Sequence, residues 1–175
     1  MAAYQQLQKL WSHANVPRKD KVQYFQMLVV SRLIYGLSSL WLVTAQRRRL
    51  DGFYARCLRR IFRIPAAFIS RVSNAAVFAQ AGVAPLSDQL LLGQLTLFGK
   101  VARSPEGSLL RRDTFIPQTL RPHVGSLVRR IGRPRQTWTE ELLKVATTKL
   151  GAASLETAIL VDTSWKHELR RLAFK

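Results

Sequence analysis

The stretch RRRLDGFYARCLRRIFRIP, residues 47–65, carries seven arginines and a single acidic residue. Guanidinium is a planar, permanently charged fork that fits phosphate oxygens, so an arginine array without acids is equipped to hold a polyanion. Stepped around a helix, Leu50, Phe53, Tyr54, Cys57, Leu58, Ile61 and Phe62 form one apolar stripe, and Arg49, Arg56, Arg59, Arg60 and Arg63 gather opposite. Arg47 and Arg48 fall outside this division, at the end where positive charge opposes the helix dipole. Solvated charged faces usually mix glutamate with lysine at i, i+4, which stabilises each pair by roughly 0.2–0.5 kcal/mol. Here no acid is interspersed, and five like charges repel unless an outside anion screens them. The spacing predicts a packed helix whose outer face meets phosphate.

A second basic run, RRIGRPRQTW over 129–138, supplies Arg129, Arg130, Arg133 and Arg135. Its Gly-Arg-Pro followed by arginine resembles the AT-hook, an extended element that lies in the minor groove of A·T-rich DNA. Ile131 stands where the first core arginine would be. The same residues suit a proline-stiffened loop that aims the chain into the next helix, and the sequence leaves both readings open.

Other chemistry lacks its parts. His13, His123, His167 and Cys57 show no metal-ligand spacing, so no metal site is expected. There is no GxGxxG, no GxxxxGK[ST] and no GxSxG, and the adjacent acids Glu140 and Glu141 sit at a helix start, where they complement the dipole. The expectation is a non-enzyme with no catalytic residues and no cofactor.

The elements that position these arginines read as helical throughout. The fold class is all-α, an irregular helical bundle with a long basic Pro/Gly-rich loop and a short C-terminal helical segment. Helices are expected over Tyr4–His13, Lys19–Tyr35, Thr44 (as N-cap) to Pro65, Asn74–Ala81, Asp88–Arg103 (capped by Ser87), Thr137–Leu150, Ser154–Val161 and Ser164–Leu172. On the second of these, Phe25, Leu28, Val29, Arg32 and Leu33 recur at three- and four-residue spacings. Residues 104–136 hold four of the seven prolines and seven arginines, and read as irregular chain with no helix. Three regions follow: helical 1–103, basic irregular 104–136, and C-terminal helical 137–175.

Charge sorts the partners. The 175 residues carry 28 Lys plus Arg, 20 of them arginine, against 10 Asp plus Glu, for a net charge of +18. Residues 1–139 hold 22 basic and 5 acidic side chains, and residues 140–175 hold 6 and 5, so the partner-facing region is expected before Trp138. Nucleic acid is the first polyanion this implies, and an anionic membrane surface ranks below it. The apolar stretch Val22–Val43 could pass for a membrane span. Arg32 near its centre, which costs roughly 2.5–3.5 kcal/mol on insertion scales, favours a buried helix pair. One cysteine and a polar first fifteen residues fit an intracellular location, with the nucleus favoured over the cytoplasm.

Several of these spacings together resemble the stretch after the polymerase core in LINE-type (non-LTR) retrotransposon reverse transcriptases. SRLIYGLSSLWL (31–42) and RRRLDGFYARCLRRIFRIP match a Leu-Tyr-Gly, a nearby Trp and a Leu-x-x-Phe-x-x-x-x-Leu-Arg, with Tyr35, Gly36, Trp41, Leu50, Phe53, Cys57, Leu58 and Arg59 in place. LFGKVAR (97–103) is similar to the family's Gly-His-Val-x-Arg, with Lys100 for histidine, and GRPRQTW (132–138) to its Gly-Arg-Pro-x-x-x-Trp. The four motifs, in the family's order, cover about residues 20–140.

The resemblance implies a thumb-like helical region and a downstream segment that help hold an RNA template and its DNA copy. It implies fingers and palm upstream of residue 1. No Asp-Asp pair for two-metal phosphoryl transfer is present, so no polymerase activity is expected, and the chain is expected to be a truncated or remnant element. The function expected is a non-catalytic fragment that binds RNA or DNA, the template–copy duplex foremost, mainly through phosphates. Arg49, Arg56, Arg59, Arg60 and Arg63 would provide the first contact, and Arg129, Arg130, Arg133 and Arg135 a second. The alternative is a helical scaffold or interaction protein, including a non-functional retroelement remnant. A membrane-surface protein with exposed Trp or Phe is the third reading.

Overall fold

Proline and glycine punctuate this chain, and the helices form between them. The computed structural model describes residues 5–7, 11, 15–123, 137–151, 159 and 161–173. Most of these are helical and no strand occurs among them, so the all-α expectation holds at that level. The expected first and penultimate helices, Tyr4–His13 and Ser154–Val161, fall largely outside the described residues.

After Pro17 comes α1 (Arg18–Phe25), which passes through a π-helical turn (Gln26–Val30) into α2 (Ser31–Ile34). Gly36, at φ 77°, follows the end of this run. The wider π turn shifts the helical register by one residue. The buried positions are therefore Lys21, Val22, Phe25, Val29 and Val30, whereas Leu28 and Arg32 of the expected stripe lie exposed.

Helix α3 spans Thr44–Phe62 and starts one residue earlier than expected, with Val43 as its N-cap. Gln46 Oε1 accepts from the Val43 N–H at 3.1 Å and takes the place of a hydroxyl cap. Then come α4 (Ala67–Ser70), α5 (Asn74–Ala81) and α6 (Leu86–Ala102). Helix α5 has the limits expected of it: Ser73 Oγ accepts from Ala76 N–H at 3.1 Å, and Gly82 at φ 66° ends it.

Ser87 is not the cap of α6 but lies in its first turn, where its N–H and its hydroxyl both donate to the Asp51 carboxylate of α3 at 2.8 and 2.7 Å. The lone acid of the opening stretch thus serves the start of another helix, where negative charge opposes the exposed amides favourably.

The expectation of irregular chain over 104–136 is corrected in its first half. Helix α7 (Leu109–Thr114) forms there, and Phe115 pairs with Pro122 in an antiparallel bridge around Gln118, with Phe115 and Leu120 buried. Apolar anchoring at these two positions outweighs the local Pro/Gly signal. Helix α8 (Trp138–Leu150) begins as expected at Thr137, whose Oγ1 accepts from Glu140 N–H at 3.4 Å, and α9 (Asp162–Ala173) is the last element described.

The chain divides into two compact units. The first comprises Met1–Gly36 and Leu42–Leu90, the second Leu37–Trp41 and Leu91–Lys175. The division falls inside α6. In the first unit the rings of Trp11, Phe25, Tyr54 and Phe78 follow one another at centroid separations of 6.3, 5.7 and 5.5 Å. Aromatic pairs at such spacings add about 0.5–1.5 kcal/mol each beyond area burial. In the second, Phe98 meets Phe115 at 5.4 Å and Trp138 at 6.0 Å, and Trp165 Nε1 donates to Leu95 O at 3.1 Å. Among the described residues no single helix is long and apolar enough to cross a membrane.

Candidate nucleic-acid interface

The apolar stripe of α3 is buried as the spacing predicts. Tyr54, Cys57, Leu58 and Ile61 lie within the first unit's core, with Leu50, Phe53 and Phe62 packed at its edge. That packing fixes the roll of the helix, and the roll brings Arg49, Arg56, Arg60 and Arg63 to the exposed side. At 1.5 Å per residue this row is roughly 21 Å long. Asp51 is the acid nearest in sequence, and its carboxylate is engaged by Ser87.

Arg59 does not join the row, which corrects the sequence expectation. Its residue is 5% exposed, and its guanidinium donates to Val72 O at 2.6 Å, Asn74 Oδ1 at 3.1 Å, and Pro65 O and Ser70 Oγ at 3.4 Å each. A buried charge is tolerated only when its donors are satisfied, and these acceptors do so. The physical reason lies in angle: Arg59 sits about 80° around the helix from Arg49, at the border of the buried arc.

Arg47 also turns inward. Its Nε donates to Leu42 O at 3.0 Å, and partial burial lowers its pKa while Asp88 and Asp51 oppose that fall. Arg63 closes α3 at φ 57°. The Ile64 N–H reaches Arg59 O at 2.8 Å and the Arg63 N–H reaches Arg60 O at 3.3 Å, a left-handed helix end completed before Pro65 breaks the ladder.

Beneath the row, burial pushes the Cys57 thiol up to about 11, against the pull of Arg60 and Arg56. Burial likewise raises the Tyr54 phenol, opposed by hydrogen bonds from Gln89 and Gln26. These groups are protonated near neutrality, so the field over this face is set by its arginines.

Arg129, Arg130, Arg133 and Arg135 lie outside the described residues, as does the Gly-Arg-Pro element. A gathering of cations that sequence reading missed is in the second unit. Lys100 of α6, Arg103 just past its end, and Lys166 and Arg170 of α9 line a cleft of about 220 Å³ together with Leu92, Trp165 and Leu169. Its signal was the three- and four-residue spacing of the cations within each pair, the second hidden by the near-zero net charge of residues 140–175. Arg103 also donates to Ile159 O at 3.0 Å. Among the described residues no group of three or more His, Cys, Asp or Glu could hold a metal ion.

No family model, no curated protein and no solved structure matches this chain. Gly99 leaves room for the Trp165 ring, Val101 is buried, and Trp138 Nε1 donates to Ser38 O at 2.8 Å. Trp41 packs against the second unit's core. Tyr35, in contrast, is 89% exposed.

Proposed function

We propose that the chain is a non-catalytic nucleic-acid-binding protein that grips phosphates through Arg49, Arg56, Arg60 and Arg63 of α3, with RNA or DNA duplex as its main partner. The observation that carries this reading is that a well-packed helix exposes these four arginines in a row while its one acid is engaged elsewhere. A net charge of +18 supports it, because release of counterions from the nucleic acid drives such binding.

Arg129, Arg130, Arg133 and Arg135, in the basic Pro/Gly-rich loop of an irregular helical bundle, are the proposed second contact. Relationship to the C-terminal part of LINE-type reverse transcriptases is the proposed origin. It rests on the order of the four motifs and on the packing roles of Trp41, Cys57, Leu58, Gly99 and Trp138. Binding without catalysis, an intracellular and preferentially nuclear location, and no membrane association belong to the same reading.

The test removes the row and keeps the charge count controlled. Arg49, Arg56, Arg60 and Arg63 changed together to Gln should weaken binding to labelled duplex at least about tenfold at low salt with the helical circular dichroism retained. Changing the exposed Arg112 and Arg121 to Gln should cost less per charge. Equal loss per charge from the two variants would favour a diffuse basic surface on a scaffold.

A further inference from the structure

Between Arg63 and Arg71, within the first unit, lies the short helix α4. Both arginines adopt left-handed backbone, at φ 57° each, and between them α4 carries Phe68 at 81% and Ile69 at 64% exposure. Two large apolar side chains this far in water are unfavourable for an isolated chain. The segment that bears them is nevertheless held firmly.

Arg59, one of two buried cations among the described residues, donates to acceptors on both sides of the tip, Pro65 O and Ser70 Oγ on α4's own stem and Val72 O and Asn74 Oδ1 beyond it. Ser70 Oγ in turn donates to Pro65 O and Ala66 O, both at 3.2 Å. The fold commits a desolvated guanidinium to bracing a loop whose apolar tip packs on little of this chain. Phe68 follows the last arginine of the row by five residues and precedes Arg71 by three.

We propose that Phe68, backed by Ile69, stacks on an unpaired base where single strand leaves duplex, while the adjoining arginines hold the phosphates. This rests on the nucleic-acid reading and specifies its preferred substrate as a junction. An aromatic ring flanked by cations is the arrangement by which proteins grip single strands without reading sequence. A row of cations along one helix fits a backbone, whereas an anionic bilayer calls for a broad basic plane with a larger apolar face. The fold, with its Arg59 brace, makes Phe68 and Ile69 a presented tip.

The experiment compares the full chain and Phe68→Ala on blunt duplex and on the same duplex with a single-stranded overhang, with 2-aminopurine at the first unpaired position. The wild type should prefer the overhang about tenfold and change the 2-aminopurine emission. Phe68→Ala should bind blunt duplex unchanged and lose the preference, and Phe68→Trp should restore it with its own emission quenched. If the wild type binds both substrates equally, or Phe68→Ala keeps the preference, stacking is overturned while phosphate binding stands. If the wild type binds neither, the nucleic-acid reading falls and takes this proposal with it. A blue shift of Phe68→Trp on phosphatidylserine vesicles, without quenching on the junction, would overturn it in favour of membrane contact.

Discussion

Cys57 and Arg59 are two residues apart on α3 and both are buried, although only Cys57 belongs to the apolar stripe. The sequence placed Cys57 in the apolar stripe and the structure buries it at 3% exposure. Arg59 read as surface because it is charged, yet it is 5% exposed, and the oxygens of Pro65, Ser70, Val72 and Asn74 take up its guanidinium. Charge identifies a side chain that needs partners; it does not say whether water or backbone carbonyls supply them. Cys57 makes a prediction about pH. Its folded thiol has a pKa of about 11 against an ordinary 9.0, so the folded state keeps a proton that the unfolded chain gives up. This contribution is fully present below about pH 9 and is lost as pH rises towards 11, at up to roughly 1.4 kcal/mol per pH unit. Tyr54 adds to the same alkaline loss, its phenol being raised by burial too. Urea melts from pH 8 to 10.5 should therefore show a steeper fall for wild type than for Cys57→Ala. Parallel curves would contradict the burial argument.

Helix limits were legible at several caps and breakers: Gly82 for α5, Thr137 for α8, and Pro65 beyond α3. What could not be read were features decided by distant partners. The π turn at Gln26–Val30 changes which face is buried, α7 forms inside a stretch rich in proline and arginine, and Asp51 reaches across to the start of α6. Gly99 belongs to this group. A Cβ there would stand 2.2 Å from Trp165 Nε1, so the glycine is needed for the close approach of α9 to α6. Gly99→Ala should destabilise the protein by about 1–3 kcal/mol through overpacking. Gly52→Ala on α3, where an added Cβ meets nothing within 4 Å, should instead stabilise it by up to roughly 1 kcal/mol of helix propensity. Thermal melts of the two variants check this, and a Gly99→Ala protein as stable as wild type would refute the contact.

Across the whole molecule, composition carried the charge but not its placement. The +18 charge was plain in the sequence, as was the arginine face of α3 apart from Arg59. The cleft lined by Lys100, Arg103, Lys166 and Arg170 was not, because its cations come from two segments far apart in sequence, one of them in a region of balanced charge. The braced tip at Phe68 was equally hidden, since exposure of an apolar residue depends on the fold. The most direct test of the account is the salt dependence of duplex binding, measured from 50 to about 200 mM salt for wild type and for the variant with Arg49, Arg56, Arg60 and Arg63 changed to Gln. Phosphate contact by the row predicts a steep fall of log K with log salt for wild type, and a slope about three to four units shallower for the variant. A flat response for wild type, or the same slope in both proteins, would contradict it.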